Sequence, residues 1–306
     1  MAAGAVAVAE VVAVAEVTET RMTMPARGAQ LAGIGIGWRP EIAGVIAELP
    51  GLGFCEVIAE SVPHYPVDVI RALDVPVIPH GIGLSLGGVE PVSAQRIRVL
   101  ADAADTFGSP LVSEHVAFVR ADGIEAGHLL PVPRCREALD VLTENIRRTQ
   151  DQLPVPLAVE NIASVVEWAD DEYTDGEFLA ELVERTGVLL LIDVANVYAC
   201  AINRGTDPAR ELAMLPTEHL AYCHVAGGEF DTSDPTLSVY HDTHTAAVNT
   251  AVLKLVSQLA GVATAFMLER DGNYPPAREL LTELDAIADA ARMPRITDGS
   301  AWWERS

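Results

Sequence analysis

Six short apolar runs in this chain each end in a side chain that can bind a metal ion. They are Val75-Pro-Val-Ile-Pro-His80, Leu111-Val-Ser-Glu-His115, Pro156-Leu-Ala-Val-Glu160, Leu189-Leu-Leu-Ile-Asp193, Leu220-Ala-Tyr-Cys-His224 and Ala265-Phe-Met-Leu-Glu269. Core packing gives no reason for an imidazole or a carboxylate to close strand after strand. A fold that brings all strand ends to one mouth does. In a parallel (β/α)8 barrel the carboxyl ends of the strands open together on one face.

The rest of the chain reads as that barrel. Leu31 to Gly37 is an apolar, glycine-rich first strand. Its glycines at 33, 35 and 37 do not have the G-x-G-x-x-G spacing of a dinucleotide site, so they suit a crowded barrel floor better. Pro40 opens a helix. The second strand is expected over Gly53 to Glu60, the third over Val75 to His80 and the fourth over Leu111 to Phe118. The fifth is expected over Pro156 to Ile162, the sixth over Val188 to Tyr198, the seventh over Leu220 to Ala226 and the eighth over Thr264 to Arg270. Helical spacing of apolar residues fills the intervals, at Ser93 to Phe107, Pro133 to Leu153, Glu177 to Arg185 capped by Asp175, a short helix at Asp207-Pro208, Ala246 to Leu259, and from Pro275-Pro276 to Ala291. The glycine-rich loop after His80 lets backbone approach something closely. Strands alternating with helices imply right-handed crossovers and a parallel sheet. The fold class is therefore α/β, a single TIM barrel over residues 31–292, with a frayed or disordered extension at 1–30 and a tail at 293–306 containing Trp302-Trp303.

His80, His115, Glu160, Asp193, His224 and Glu269 end strands three to eight, and Asp242 and His244 join them from the long loop after strand seven. Each alone has a plain structural reading. A strand-end histidine can be a hydrogen-bonded core residue, Asp193 can cap a turn, and Glu269 can pair with Arg270. Together they place four carboxylates in one partly desolvated pocket, where each uncompensated charge costs several kcal/mol. Either most of them are protonated, or cations lie between them. Cys223 precedes His224, so alternation turns its sulfur away from the axis. Nitrogen and oxygen without sulfur suits iron, manganese or catalytic zinc. The ligand groups are too many for one ion, and two or three metals is the natural count. His64, His128, His219 and His241 have no such placement and read as surface or supporting residues.

Charge narrows the partners. The formal net charge is −24, and a surface this acidic repels nucleic-acid phosphate and anionic lipid. Cys55, Cys135, Cys200 and Cys223 form no CxxC pair, which fits free thiols in a reducing cytoplasm. No apolar run has the length of a membrane span, and Met1 to Thr20 lacks the basic start of a secretory signal.

The ordered segments His80-Gly-Ile-Gly-Leu-Ser-Leu-Gly-Gly88, Val112-Ser-Glu-His115, Glu160-Asn161-Ile-Ala163, Asp193-Val-Ala-Asn196, His224-Val-Ala-Gly227, Asp242-Thr-His244 and Leu268-Glu269 resemble the multinuclear non-haem iron-dependent oxidative enzymes, the family that includes the methanobactin-biosynthesis iron enzyme. The resemblance covers Gly33 to Ala288. It implies two or three irons in mixed Fe(II)/Fe(III) states, O2 as co-substrate, a ribosomally made precursor peptide as substrate, and a separate protein that presents the peptide. It also implies that His80, His115, Glu160, Asp193, His224, Asp242, His244 and Glu269 are metal ligands, with Glu160 bridging and Asn196 an additional ligand candidate. Glu114, Asn161 and Arg270 are then the catalytic candidates, orienting the ligands from behind. The second strand departs from the family pattern: Ile58 and Ser61 stand where relatives often have histidine and asparagine, which leaves the substrate contacts and the reaction open.

Two other functions fit strand-end His, Asp and Glu. One is a divalent-metal sugar isomerase or endonuclease-like phosphodiesterase on a similar barrel, needing no O2. The other is a non-catalytic carrier of metal or peptide with its metals saturated by protein ligands.

Overall fold

The computed structural model describes residues 31–231, 233 and 239–297. The expected extension at 1–30 and the Trp302-Trp303 pair lie outside the described residues. In chain order the strands are β1 (Gly33–Gly37), β2 (Phe54–Ile58), β3 (Val77–His80), β4 (Val112–His115), β5 (Ala117–Ala121), β6 (Ile124–Pro131), β7 (Leu157–Glu160), β8 (Leu189–Asp193), β9 (Leu220–Val225), β10 (Glu229–Phe230), β11 (Tyr240–His241) and β12 (Ala265–Leu268). The helices are α1 (Ala43–Ala47), α2 (Val67–Arg71), α3 (Ala94–Phe107), α4 (Arg136–Gln150), α5 (Asp175–Thr186), α6 (Val194–Arg204), α7 (Pro208–Ala213), α8 (Thr250–Leu259) and α9 (Ala277–Ala291), with 3-10 turns at Pro40–Ile42, Ala59–His64 and Thr217–His219.

Eight strands close into a parallel barrel in the order β1-β12-β9-β8-β7-β4-β3-β2. The pair β1 and β12 shuts it, with Gly33 beside Ala265 and Ile36 beside Leu268. Strand side chains alternate between two apolar layers. One layer packs the sheet against the helices and includes Cys55, Val57, Val159, Cys223 and Leu268. The other fills the barrel and includes Phe54, Ile78, Ala158, Leu191, Tyr222 and Met267. Cys223 thus faces outward, as its place before His224 requires. Among the described residues no helix is long and apolar enough to cross a membrane.

Local chemistry sets the boundaries, and four expectations need correction. The sixth strand stops at Asp193, not Tyr198, because the Asp193 side chain accepts a hydrogen bond from the Asn196 backbone at 2.8 Å and starts α6 at once. Val194 to Val197 is therefore the buried first turn of a helix. The fourth strand leaves the barrel after His115. Ala117–Ala121 pairs antiparallel with Ile124–Pro131 around Asp122-Gly123, where φ is 49° and 74°. Two positive-φ residues at Asp-Gly form the tight turn that suits a hairpin. The cap of α5 is Thr174, in a reciprocal capping box with Glu177, and Asp175 is the first helical residue. The helix expected from Ala246 starts at Thr250, capped by Asn249. The glycine-rich loop after His80 packs against the hairpin: Gly87 donates to Ala117 O at 2.8 Å, and Val119 donates to Ser85 Oγ at 3.0 Å.

Gly35 lies in register with Phe54, and a methyl group there would stand 2.6–2.8 Å from the Phe54 ring. The ring is itself fully buried against Tyr222. Gly35→Ala is expected to destabilise the fold by about 1–3 kcal/mol in urea unfolding. Phe54→Leu in the same chain should recover part of that loss; an unaltered unfolding midpoint for Gly35→Ala would mean the barrel floor has room to spare.

Candidate metal centre

Parallel pairing sets the candidate ligands side by side. His115 lies in register with Glu160, and Asp193 with His224. His80 ends β3 beside Ser113, and Glu269 directly follows β12. All six ligand candidates from the strand ends are buried. His80 Nε2 and His115 Nε2 face each other at 3.2 Å, and Glu160 Oε2 lies 3.3 and 3.4 Å from them. His224 Nδ1 is 3.3 Å from Glu160 Oε1 and 3.0 Å from Glu269 Oε2. His244 reaches in from the loop, its Nδ1 3.3 Å from Glu269 Oε2 and its Nε2 3.5 Å from Asp193 Oδ2. Its φ is 51°, a strained conformation for a residue with a side chain. Two backbone bonds hold it there: His244 N donates to Gly227 O at 3.1 Å, and Asp271 N donates to His244 O at 2.9 Å.

These atoms form three linked groups. His80, His115 and Glu160 make one; Glu160, Asp193, His224 and Glu269 make the second; His244, Glu269 and Asp271 make the third. Glu160 belongs to the first two and Glu269 to the last two. Glu160 Oε2, Asp193 Oδ2, His224 Nδ1, His244 Nε2 and Glu269 Oε2 are buried without a hydrogen-bond partner among the described residues. Buried polar atoms are rarely left so. Lone pairs converging in a dry pocket are what a cation between them would satisfy, so the residues present fit metal ions of the nitrogen/oxygen-preferring kind.

The electrostatics agree. Burial pushes the Glu160 and Asp193 carboxyls above the usual range, while His224 and His115 pull Glu160 back, and His244 does so for Asp193. Glu269 is driven the other way: His224 and His244 overcome its burial and hold it well below the usual range. Burial opposes charge on His115, yet Glu160 and Glu114 raise it to about 9. Burial also opposes charge on His244, and Glu269, Asp271 and Asp193 raise it to about 10. His80 is pushed well down by burial and by its neighbours His115 and His224. Burial opposes charge on His224 too, but Glu56, Glu269 and Glu160 hold it well above the usual imidazole range. In the metal-free protein, then, protons on His115, His224 and His244 compensate the carboxylates.

The remaining candidates are spread around the cluster. Asp242 stands at its margin, 3.7 Å from His244 Nε2, with burial raising its carboxyl to about 6; it joins none of the three groups. Asn196 donates to Asn161 O at 3.0 Å, and its Oδ1 is buried and unpartnered among the described residues. Asn161 clamps the backbone of Asp193, accepting from its N–H at 2.9 Å and donating to its carbonyl at 3.1 Å. Glu114 lies behind His115, 3.8 Å from the Nδ1 that donates to Gly81 O. The Arg270 guanidinium binds Ala246 O, Asn273 O and Glu283, tying the His244 loop to α9. His64, His128 and His241 are exposed and His219 is half-buried.

Two carboxylates escaped the reading of strand ends. Glu56 is wholly buried two residues before the end of β2, and its Oε2 is 2.9 Å from His224 Nε2. An acidic residue at inward parity inside the apolar run Phe54–Ile58 was the available signal. Asp271 follows Glu269 by two residues, and Arg39 holds it with Nε at 3.1 Å. Beside the cluster lies a recess walled by Asn161 and Asn196 and lined by Val132, Phe178 and Leu215 together with the charged Arg134, Asp175 and Arg204.

Metal binding must displace the protons on His115, His224 and His244 that face the cluster. His115 and His244 stay protonated until the pH approaches about 9 and about 10, so each unit of pH below that range costs affinity. Cobalt(II) affinity for the metal-free protein is expected to rise more than about tenfold between roughly pH 6 and 8, with proton release measurable in weak buffer. Binding without proton release across that span would contradict this charge assignment.

A family model described as RiPP precursor modification enzyme MbnB/TglH/ChrH matches residues 33–292. The UPF0276 protein of Streptomyces avermitilis is 51% identical over 268 residues, covering 83% of this chain and 54% of that protein. The chain thus spans about half the length of that relative. The UPF0276 protein of Caulobacter vibrioides is 36% identical over 263 residues, covering 83% of this chain and 92% of that one. Among solved structures, a xylose isomerase domain protein from Planctomyces limnophilus aligns with TM-score 0.53 at 14% identity, over 86% of this chain and 97% of that chain. Endonuclease IV from Thermus thermophilus aligns with TM-score 0.51 at 17% identity, over 89% and 99%. These two likenesses concern the barrel fold alone. The match across the whole barrel, reinforced by the two sequence relatives, makes this chain a member of the RiPP precursor modification enzyme family MbnB/TglH/ChrH.

Proposed function

We propose that this chain is a multinuclear non-haem iron enzyme that uses O2 to modify a ribosomally synthesised precursor peptide. The observation that carries the reading is the sharing of Glu160 and Glu269 among three adjacent ligand groups, since a shared carboxylate is a natural bridge between ions. The donors are imidazole and carboxylate, and Cys223 is turned into the outer core. That favours iron in Fe(II) and Fe(III) states over a thiolate-bound structural metal. Family membership supports a peptide substrate. A separate protein that presents the peptide, and a cytoplasmic setting in which Cys55, Cys200 and Cys223 stay as buried thiols, complete the proposal.

Bound iron would supply Lewis acidity and electrons. The chain supplies position. His80, His115 and Glu160 would hold one ion, Glu160, Asp193, His224 and Glu269 a second, and His244, Glu269 and Asp271 a third. Asn161 fixes the backbone of Asp193, and Gly81 O fixes the His115 ring through Nδ1. The recess next to Asn161 and Asn196, which combines apolar walls with Arg134, Asp171, Asp175 and Arg204, receives a side chain of the peptide, while Trp168 and Val166 at its edge are exposed to meet the rest. Ile58, in register with His80, puts an aliphatic side chain where relatives often carry histidine, so substrate contacts on that wall differ from theirs.

Metal analysis of protein purified without oxygen tests the reading. We expect about two or three irons per chain, O2 uptake on adding a precursor peptide encoded beside the gene, and loss of at least half the iron in Glu160→Ala. Less than about one iron per chain with zinc in its place, or no O2 uptake with a modified peptide still formed, would reject it.

A further inference from the structure

Beneath the ligand cluster lies a layer of polar atoms that the reaction as proposed does not use. Glu56, Ser113 and Tyr222 are all buried, between the apolar barrel floor and the histidines. Tyr222 OH donates to Glu56 Oε2 at 2.6 Å. Ser113 Oγ is 2.7 Å from Tyr222 OH, and His80 Nδ1 is 2.8 Å from Ser113 Oγ. On the other side His224 Nε2 is 2.9 Å from the same Glu56 oxygen.

The inventory of donors fixes the direction of every bond. A carboxylate only accepts, so Tyr222 gives its single proton to Glu56. The Tyr222 oxygen must then accept from Ser113, whose hydroxyl proton is used there. Ser113 in turn must accept from His80, so the proton of the neutral His80 ring is on Nδ1. Its Nε2 is left as a lone pair facing His115 and Glu160. By the same reasoning His224 Nε2–H donates to Glu56, so Nδ1, which faces Glu160 and Glu269, is the nitrogen left to bind a metal.

We propose that Glu56 is the common anchor of the metal centre, setting the tautomer of His224 directly and of His80 through Tyr222 and Ser113. One carboxylate outside the ligand set thereby aims two imidazoles from different walls of the barrel at different metal groups. Glu56, Tyr222 and Ser113 are positioning residues. The inference rests on the cluster being a metal centre, and it assigns no change of charge to any of them. Partners of this kind commonly contribute a factor of about 10–100 in metal affinity.

The two branches make the proposal separable from a general loss of packing. The probe is cobalt(II) alone, titrated into metal-free protein and followed by its visible absorption bands and by bound metal per chain. Tyr222→Phe cuts only the His80 branch. It should weaken one cobalt site by about tenfold or more and alter its bands, leaving the other sites as in the wild type. In a His80→Ala background the same change should do nothing further, because its route is gone. Glu56→Met cuts both branches and should still weaken binding in that background, through His224; should Glu56→Met not fold, Tyr222→Phe and Ser113→Ala decide the matter. Wild-type cobalt binding in Tyr222→Phe, or an equal loss with and without His80, overturns the anchor while leaving the metal centre standing. Absence of cobalt binding in the wild-type protein overturns both.

Discussion

Carboxylates and imidazoles are packed at one end of this barrel closer than uncompensated charges tolerate. Burial drives the Glu160 and Asp193 carboxyls toward their neutral forms, while the imidazoles beside Glu269 hold it charged. Protons on His115, His224 and His244 settle the balance in one way, and cations would settle it in another. A pocket built for either answer has to hold its oxygen and nitrogen atoms still, since charges a few ångströms apart in a poorly solvated space change energy steeply with distance. The architecture around the mouth follows from that need.

Strand ends are the stiffest place to mount such groups. Register partners His115 and Glu160, and Asp193 and His224, are fixed by the sheet itself. His244 is the exception, because it comes from a loop, and its backbone is held at a strained φ by bonds to Gly227 and Asp271. Below the ligands, Glu56, Ser113 and Tyr222 separate the charged layer from Phe54, Ile78 and Met267. The barrel thus passes from apolar to polar to ionic along its axis, each layer satisfying the one above.

The barrel and most of the side chains that cluster at its mouth were legible in the sequence because both depend on strong local patterns. Apolar runs give strands, helical spacing gives the crossovers, and the terminal residue of each run lands at the mouth. What was not legible depended on competition between patterns. Val194 to Tyr198 continues the apolar run of β8, and only the capping geometry of Asp193 shows that it is helix. The hairpin after His115 was announced by Asp122-Gly123, a turn signal overshadowed by the apolar stretch before it. Glu56 sits mid-strand, so attention to strand ends passed over it, and Asp271 lies just past the last run. Asp242 illustrates the reverse: two residues from His244 in sequence, it stays at the margin because a loop, unlike a strand, does not dictate direction.

Asp193 splits its carboxylate between two duties: one oxygen starts α6, and the other points into the cluster. Asparagine at this position would keep the cap but forfeit the charge. Glutamate would keep the charge but carry its oxygens one methylene too far to close the first turn. Serine would cap and contribute no anion. Of the twenty side chains, aspartate alone meets both demands, so the position has no interchangeable neighbour in the genetic alphabet.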